Sequence, residues 1–260
     1  MCPLQRSSTP GPFDAVRPEE ARARLVARGF ANDDVEVLFE HFDDAERRGK
    51  LGHGHARIEW LETQAFDPQA RPAQTSSDRV ERWESRGALG YLVLAEICKD
   101  VIAEPGPVRL ISADAFPTGH LGYWVRRLAE SGLVALLTAT SPPRLAHPDG
   151  GEPLVGTNPL AIGLPNPAGD PIVVDVSMAK ANYGDILAGR ARPEDIVAFG
   201  GEHAHKAFAL AVGLQGLVES FAGERHGILL LAGKPESDHF AATLRERSAG
   251  LRLPGDFYSV

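Results

Sequence analysis

The sequence predicts an α/β fold, a mixed or parallel sheet covered by helices and preceded by a helical N-terminal segment. Three observations carry this expectation. Short apolar runs of strand length recur between turn residues, longer stretches repeat apolar residues at helical spacing, and the two kinds alternate along the chain. The helices come first. Pro18, Glu19 and Glu20 supply the preset φ and negative charge that suit a first helical turn, and Gly29 ends it. After Asn32 and Asp33, candidate caps, Val35, Leu38, Phe39, Phe42 and Ala45 mark a second amphipathic helix that runs to Gly49. Residues 67–77 (DPQARPAQTSS) lack large apolar side chains and read as a linker, as residues 1–12 read as a tail. A helical pattern spans Gly87 to Ala103, then VRLIS (108–112) reads as a strand. Leu121, Trp124, Val125 and Leu128 mark a helix over 119–131, followed by a strand at 133–139. IVVDV (172–176) and ILLLA (228–232) are further strands, with a helix at 205–221 between them and a last helix from a Ser237 cap to Ser248. Two units follow: a helical segment over 13–66 and an α/β domain over 78–260.

Composition excludes several classes of function. The 260 residues are 43% hydrophobic, enough for a sizeable core, and carry 35 acidic against 27 basic side chains, a net charge of −8. That field repels phosphate backbones and anionic lipid, so neither nucleic acid nor a membrane is an expected partner. No apolar run approaches the roughly 20 residues that span a bilayer, and no signal-peptide pattern opens the chain, so a cytoplasmic location is expected. Cys2 and Cys98 form neither a disulfide framework nor a metal pair, and Cys98 reads as a buried small hydrophobe.

Three polar clusters hold the candidate chemistry. In GHGHAR (52–57), His53 and Arg57 are four apart and share a face if the segment is helical, one able to move a proton and the other to grip a carboxylate; ordinary surface residues are the competing reading. The turn-rich stretch from Ser141 to Pro165 is long enough to be a functional loop, and its glycines let backbone N–H groups approach a ligand. Neither GxGxxG nor GxxxxGK[ST] is present, so no generic motif argues for a nucleotide. In GGEHAHK (200–206), Lys206 at a helix start is unfavourable for the helix dipole, which suggests a ligand phosphate there or else a plain solvated lysine. HxH alone is no metal site, and none is expected.

Taken together these segments resemble the malate/L-lactate dehydrogenase-like oxidoreductases. GHGHAR resembles their SHGxxR, HPDGGEPLVGTNPLAIGLP their PxGG and GTNP stretch, DVSMAKANYGDI their DxAxS stretch, HKAFAL their HKGYGL, and LRLPGD their closing LPGE/D. The matches occur in the family's order over residues 13–256. The resemblance implies a non-Rossmann fold, a homodimer, and NADPH or NADH reducing a C=O or C=N beside a carboxylate. It implies that His53 donates the proton, that Arg57 holds the substrate carboxylate and that Thr157 contacts substrate. Gly119, His120, Leu121, Asp175, Val176, Ser177, His205 and Lys206 fall on cofactor-contacting segments. Asp185 matches the aspartate that imine reductases of the family use to orient the histidine.

The departures bear on subclass. Gly52 replaces the family's serine, Pro117 replaces the histidine that many dehydrogenases use as base, and His120 lies one helical turn further on as an alternative catalytic histidine. The chain is shorter than its relatives between Gly184 and Gly200 and ends in Phe257-Tyr258-Ser259-Val260 where basic residues are usual. An iminium is already electrophilic and needs no strong base, so Pro117 and Asp185 favour reduction of a small, cyclic α-imino acid. A 2-hydroxy-acid or 2-keto-acid dehydrogenase is the alternative, and a redox-inactive member serving as a binding subunit is a second.

Overall fold

The computed structural model describes residues 17–257. The tail reading of residues 1–12, Cys2, and the closing residues 258–260 lie outside them. Three helices open the described chain: α1 (Pro18–Ala27), α2 (Asn32–Arg47) and α3 (Ala56–Glu62), the last two joined through a 3₁₀ turn, Leu51–His53. Proline stands at the first turn of α1 as expected, but the cap of α2 is Ala31, so Asn32 and Asp33 lie inside the first turn and act through the helix dipole.

Then follow β1 (Ala73–Ser76), β2 (Glu81–Glu84), α4 (Gly90–Ala103), β3 (Arg109–Asp114), α5 (Leu121–Glu130), β4 (Val134–Ala139), β5 (Leu160–Leu164), β6 (Ile172–Val176), α6 (Tyr183–Leu187), α7 (Ala204–Ala222), β7 (Gly227–Gly233) and α8 (His239–Arg247). The strands form one seven-stranded sheet in the order β1-β2-β3-β7-β4-β5-β6. Only β2 and β3 run parallel; the other neighbouring pairs are antiparallel. The sheet is therefore mixed rather than parallel.

Two expectations are corrected. The stretch read as a linker, 67–77, contains β1, an edge strand that pairs with β2, and Ala70 is buried against the core. Ser237 is not the cap of α8: Asp238 precedes that helix and its side chain makes no capping bond.

One core runs from Ala21 and Leu25 of α1 through α2, α4 and α5 to Ile228 and Leu230 of β7. Trp124 is fully buried within it, and its indole N–H donates to the carbonyl of Thr118 at 2.9 Å. That bond ties the 116–120 segment, which borders the site, to the core. Cys98 is fully buried and its thiol is pushed up to about 12, an inert hydrophobe. A smaller apolar cluster joins Leu145, Val155, Met178 and Ile196 to Ala207 and Ala211 of α7. On α7 only Ala207, Ala211 and Val218 are buried, while Leu210, Val212 and Leu217 face outward.

Candidate active site

The 3₁₀ turn at 51–53 and the short helix α6 meet at a glycine pair. A Cβ at Gly52 would lie 2.4 Å from the carbonyl carbon of Gly184, and one at Gly184 would lie 2.2 Å from the Gly52 carbonyl oxygen. This contact explains why glycine stands at 52 where a serine is expected: two backbones touch, and no side chain fits between them. The break that follows, with Gly54 at φ −90° and ψ −146°, separates His53 from α3. His53 and Arg57 therefore do not share a helix face. They converge because Arg57 folds back, its Nε donating to the Gly52 carbonyl at 2.8 Å.

The turn, the Thr118–Leu121 segment, the GTNP loop and α6 enclose two adjoining clefts. The larger, about 620 Å³, is bordered by Lys50, His120, Asp175, Lys180, Asp185 and Arg190 among others. The smaller, about 350 Å³, holds Arg57, Trp60, Tyr91, Pro117, Arg144 and Tyr183. His53, Gly119, Thr157, Pro159 and Asn182 border both. Of the residues expected from sequence, His53, His120, Asp185, Thr157, Gly119, Leu121, Asp175 and Ser177 thus line the larger cleft and Arg57 the smaller. Val176 is exposed beside them and lines neither, while His205 and Lys206 lie exposed on the first turn of α7 and line neither.

The GTNP loop is anchored by Asn158, which adopts φ +30° and is fully buried. Its amide donates to the Ala211 carbonyl and to Gln215 Oε1, both at 2.8 Å, tying the loop to α7 and presenting Thr157 to both clefts. Asp185 is committed locally. Its carboxylate accepts from the Asn182 N–H at 2.9 Å, closing the capping box that starts α6, while His53 Nδ1 is buried with no hydrogen-bond partner. The expected bond between Asp185 and His53 is not formed, although both line one cleft.

Around the histidine lies a polar cluster that the sequence reading missed. His41 of α2 is fully enclosed by Phe42, Tyr91, His120, Tyr123 and Trp124, with ring centroids 4.7–5.8 Å away. Gly119, at φ +69°, allows this packing, since a Cβ there would come within 2.2 Å of His41. His120 in turn stands 6.3 Å from the His53 ring and is flanked by two carboxylates, Asp44 at 3.4 Å and Asp175 at 3.9 Å. Asp44 also takes Arg48 at 2.8 Å and Arg126 at 3.2 Å, and Asp175 pairs with Lys50. An i, i+3/4 apolar pattern on α2 pointed to core and concealed His41 as a polar member of it.

Burial sets the protonation of these rings. It pulls His41 from the ordinary 6.5 down to about 3 and holds His53 and His120 well below their usual range. Next in weight are the Arg57 and Lys50 charges for His53 and the neighbouring His41 and Lys50 for His120. His53 is thus neutral near pH 7 in the free protein.

This geometry agrees with the comparisons. Residues 18–216 match the family model described as malate/L-lactate dehydrogenase. The chain belongs to that family. Its relatives include a (2R)-3-sulfolactate dehydrogenase (NADP(+)) of Chromohalobacter salexigens, 33% identical over 185 residues, covering 68% of this chain and 55% of that protein. A Delta(1)-pyrroline-2-carboxylate/Delta(1)-piperideine-2-carboxylate reductase of Pseudomonas syringae pv. tomato is 27% identical over 193 residues, covering 71% of this chain and 54% of that protein. The chain spans a little over half the length of these curated relatives. Among solved structures, the delta1-piperideine-2-carboxylate reductase from P. syringae superposes with a TM-score of 0.75 at 24% identity, over 94% of this chain and 92% of the other. The malate/L-lactate dehydrogenase-like fold expected from sequence is the one observed. Among the described residues no helix is long and apolar enough to cross a membrane, and no group of three His, Cys, Asp or Glu side chains is placed to hold a metal ion.

Proposed function

We propose that this chain is an NAD(P)H-dependent reductase of a small 2-oxo or 2-imino acid, and that a 2-oxo acid is the substrate class its geometry supports best. One observation carries the reading: His53 and Thr157 stand on the common wall of two clefts, one bordered by cations suited to a cofactor's phosphates and the other by Arg57.

The larger cleft fits a nicotinamide dinucleotide by its donor set. Lys180 and Arg190 border it with no carboxylate within ion-pairing distance among the described residues, and Lys50 stands beside them in its pair with Asp175. Lys50, Lys180 and Arg190 would hold the phosphates; His205 and Lys206 would then act outside this cleft. The bound cofactor supplies a hydride. Arg57 clamps the substrate carboxylate, a planar fork matching a planar anion, and its bond to Gly52 fixes the fork's direction. His53 supplies the proton to the oxygen or nitrogen of the reduced bond. An anionic substrate beside Arg57 offsets one of the charges that, after burial, hold His53 neutral, and so favours a proton on the ring.

Two features favour the oxo acid. His120 places a second imidazole, between Asp44 and Asp175, on the larger cleft beside His53, a further proton-handling group where Pro117 of the smaller cleft supplies none. The smaller cleft, lined by Arg57 and Arg144 and by no carboxylate, repels a protonated imine. The second reading, a cyclic imino acid, rests on Asp185 lining the cleft of His53 and on the likeness to the Pseudomonas reductase. Turnover of purified protein with NADPH and NADH against matched oxo and cyclic imino acids decides between them: faster oxo-acid reduction is expected, and faster imino-acid reduction installs the second reading. For assembly we propose a homodimer that covers Leu210, Val212 and Leu217 of α7, each 43–52% exposed. Sedimentation of wild type and Leu210→Glu tests it, a monomeric wild type being the contrary result.

A further inference from the structure

The smaller cleft carries a feature that one carboxylate does not use. Arg57 and Arg144 both line it, and none of its lining residues is Asp or Glu, in a chain with eight more acids than bases. The larger cleft, in contrast, balances Lys50, Lys180 and Arg190 with Asp175, Asp185 and Asp195. Neither Arg57 nor Arg144 has a carboxylate within 4.0 Å among the described residues, and Arg144 donates no side-chain hydrogen bond. Two unneutralised guanidiniums in one cavity repel each other and gain most from an anion between them.

Their placement is set by consecutive residues of α6. The Arg144 guanidinium lies over the Tyr183 ring, 3.9 Å from its centroid, while the backbone of Gly184 abuts Arg57, whose Nη2 would be 2.8 Å from a Cβ there. Stacking on the tyrosine face orients Arg144 and leaves its N–H edge free to donate. Neighbouring residues of one short helix thus back the two forks on the wall of a single cavity of about 350 Å³, a size suited to a small ligand with an anion at each end. Thr118, Thr140 and Ser141 add neutral hydroxyl donors to the same cavity.

We propose that Arg144 is the residue that sets substrate specificity by reading a second anionic group, so that the site takes short 2-oxo acids bearing a further carboxylate or sulfonate. This rests on the oxo-acid reading above. Arg57 grips the carboxylate next to the reduced carbon, and Arg144 grips the remote anion.

The test compares kcat/KM for oxaloacetate and pyruvate, 2-oxo acids that differ by one carboxylate, in wild type, Arg144→Gln and Arg144→Lys. Wild type should prefer oxaloacetate at least tenfold. Arg144→Gln should lower that ratio about 10- to 100-fold, the value of a charged hydrogen bond, with Arg144→Lys between the two. An unchanged ratio in Arg144→Gln overturns the proposal, as does a weakened affinity for NADPH with the ratio intact, which would make Arg144 a cofactor contact. Calorimetric titration with succinate and propionate, which are not reduced, separates this proposal from the reading beneath it. If wild type turns over neither oxo acid, the reductase reading fails. Arg144-dependent binding of succinate over propionate then still supports the second-anion site, and equal binding or no binding removes it.

Discussion

Replacing His41 with leucine should remove a measurable share of the protein's acid sensitivity. His41 is fully buried among five rings and pulled from 6.5 to about 3, so the folded protein declines a proton that the unfolded chain accepts. The folded value is depressed, and the unfolded state therefore binds more protons below 6.5; stability falls as pH drops from about 6.5 toward 3. At pH 5 the gap is 1.5 units from the ordinary value, worth about 2 kcal/mol at about 1.36 kcal/mol per unit, and any folded value below about 4 gives the same answer. Between pH 7 and pH 5 the wild type should thus lose about 2 kcal/mol more unfolding free energy than His41→Leu. Urea unfolding at the two pH values, extrapolated to water, measures it. Any pH-independent packing cost of leucine cancels in the difference. Equal pH 5 losses in the two proteins would refute the neutral, buried state of His41, and with it the account of the ring cluster behind His120.

The remaining consequences concern the clefts. Gly52→Ser forces a Cβ into the backbone of Gly184, so it should cost about 1–3 kcal/mol in thermal or urea unfolding; a neutral effect would mean the glycine contact is not close. Arg57→Lys should lower kcat/KM for acids while NADPH affinity by nicotinamide fluorescence stays nearly constant, because a point charge cannot replace the fork. Lys180→Ala should weaken NADPH binding by about 1.5–3 kcal/mol and Lys206→Ala should not, and the reverse order would return the cofactor phosphates to the start of α7.

Much of this was readable in the sequence because burial left a periodic trace. The strands β3, β4, β6 and β7 are short apolar runs, and α2, α4 and α5 repeat apolar residues at helical spacing. What escaped has physical reasons. β1 (AQTS) is the edge strand and β2 (ERWE) its neighbour; both are half exposed and carry no apolar alternation. Strand direction was also hidden, since β3, β7 and β4 are buried enough to resemble parallel strands although they pair antiparallel with one another. The five-residue α6 is held by the Asn182 and Asp185 capping box, too short to leave a period. At the site, motif order located His53, Arg57 and Thr157. The partners of His120, namely His41, Asp44 and Lys50 through Asp175, and the pairing of Arg57 with Arg144 arise only when distant segments fold together.

Following NADPH consumption and NADPH binding together in wild type and His53→Ala tests whether His53 supplies the proton in a reduction whose cofactor and substrate occupy the two clefts. Both proteins should bind NADPH with similar affinity while kcat falls about 10²- to 10⁴-fold in the variant, the usual worth of a positioned acid. Undiminished turnover in His53→Ala, or a wild type that neither binds nor oxidises NADPH, would contradict it.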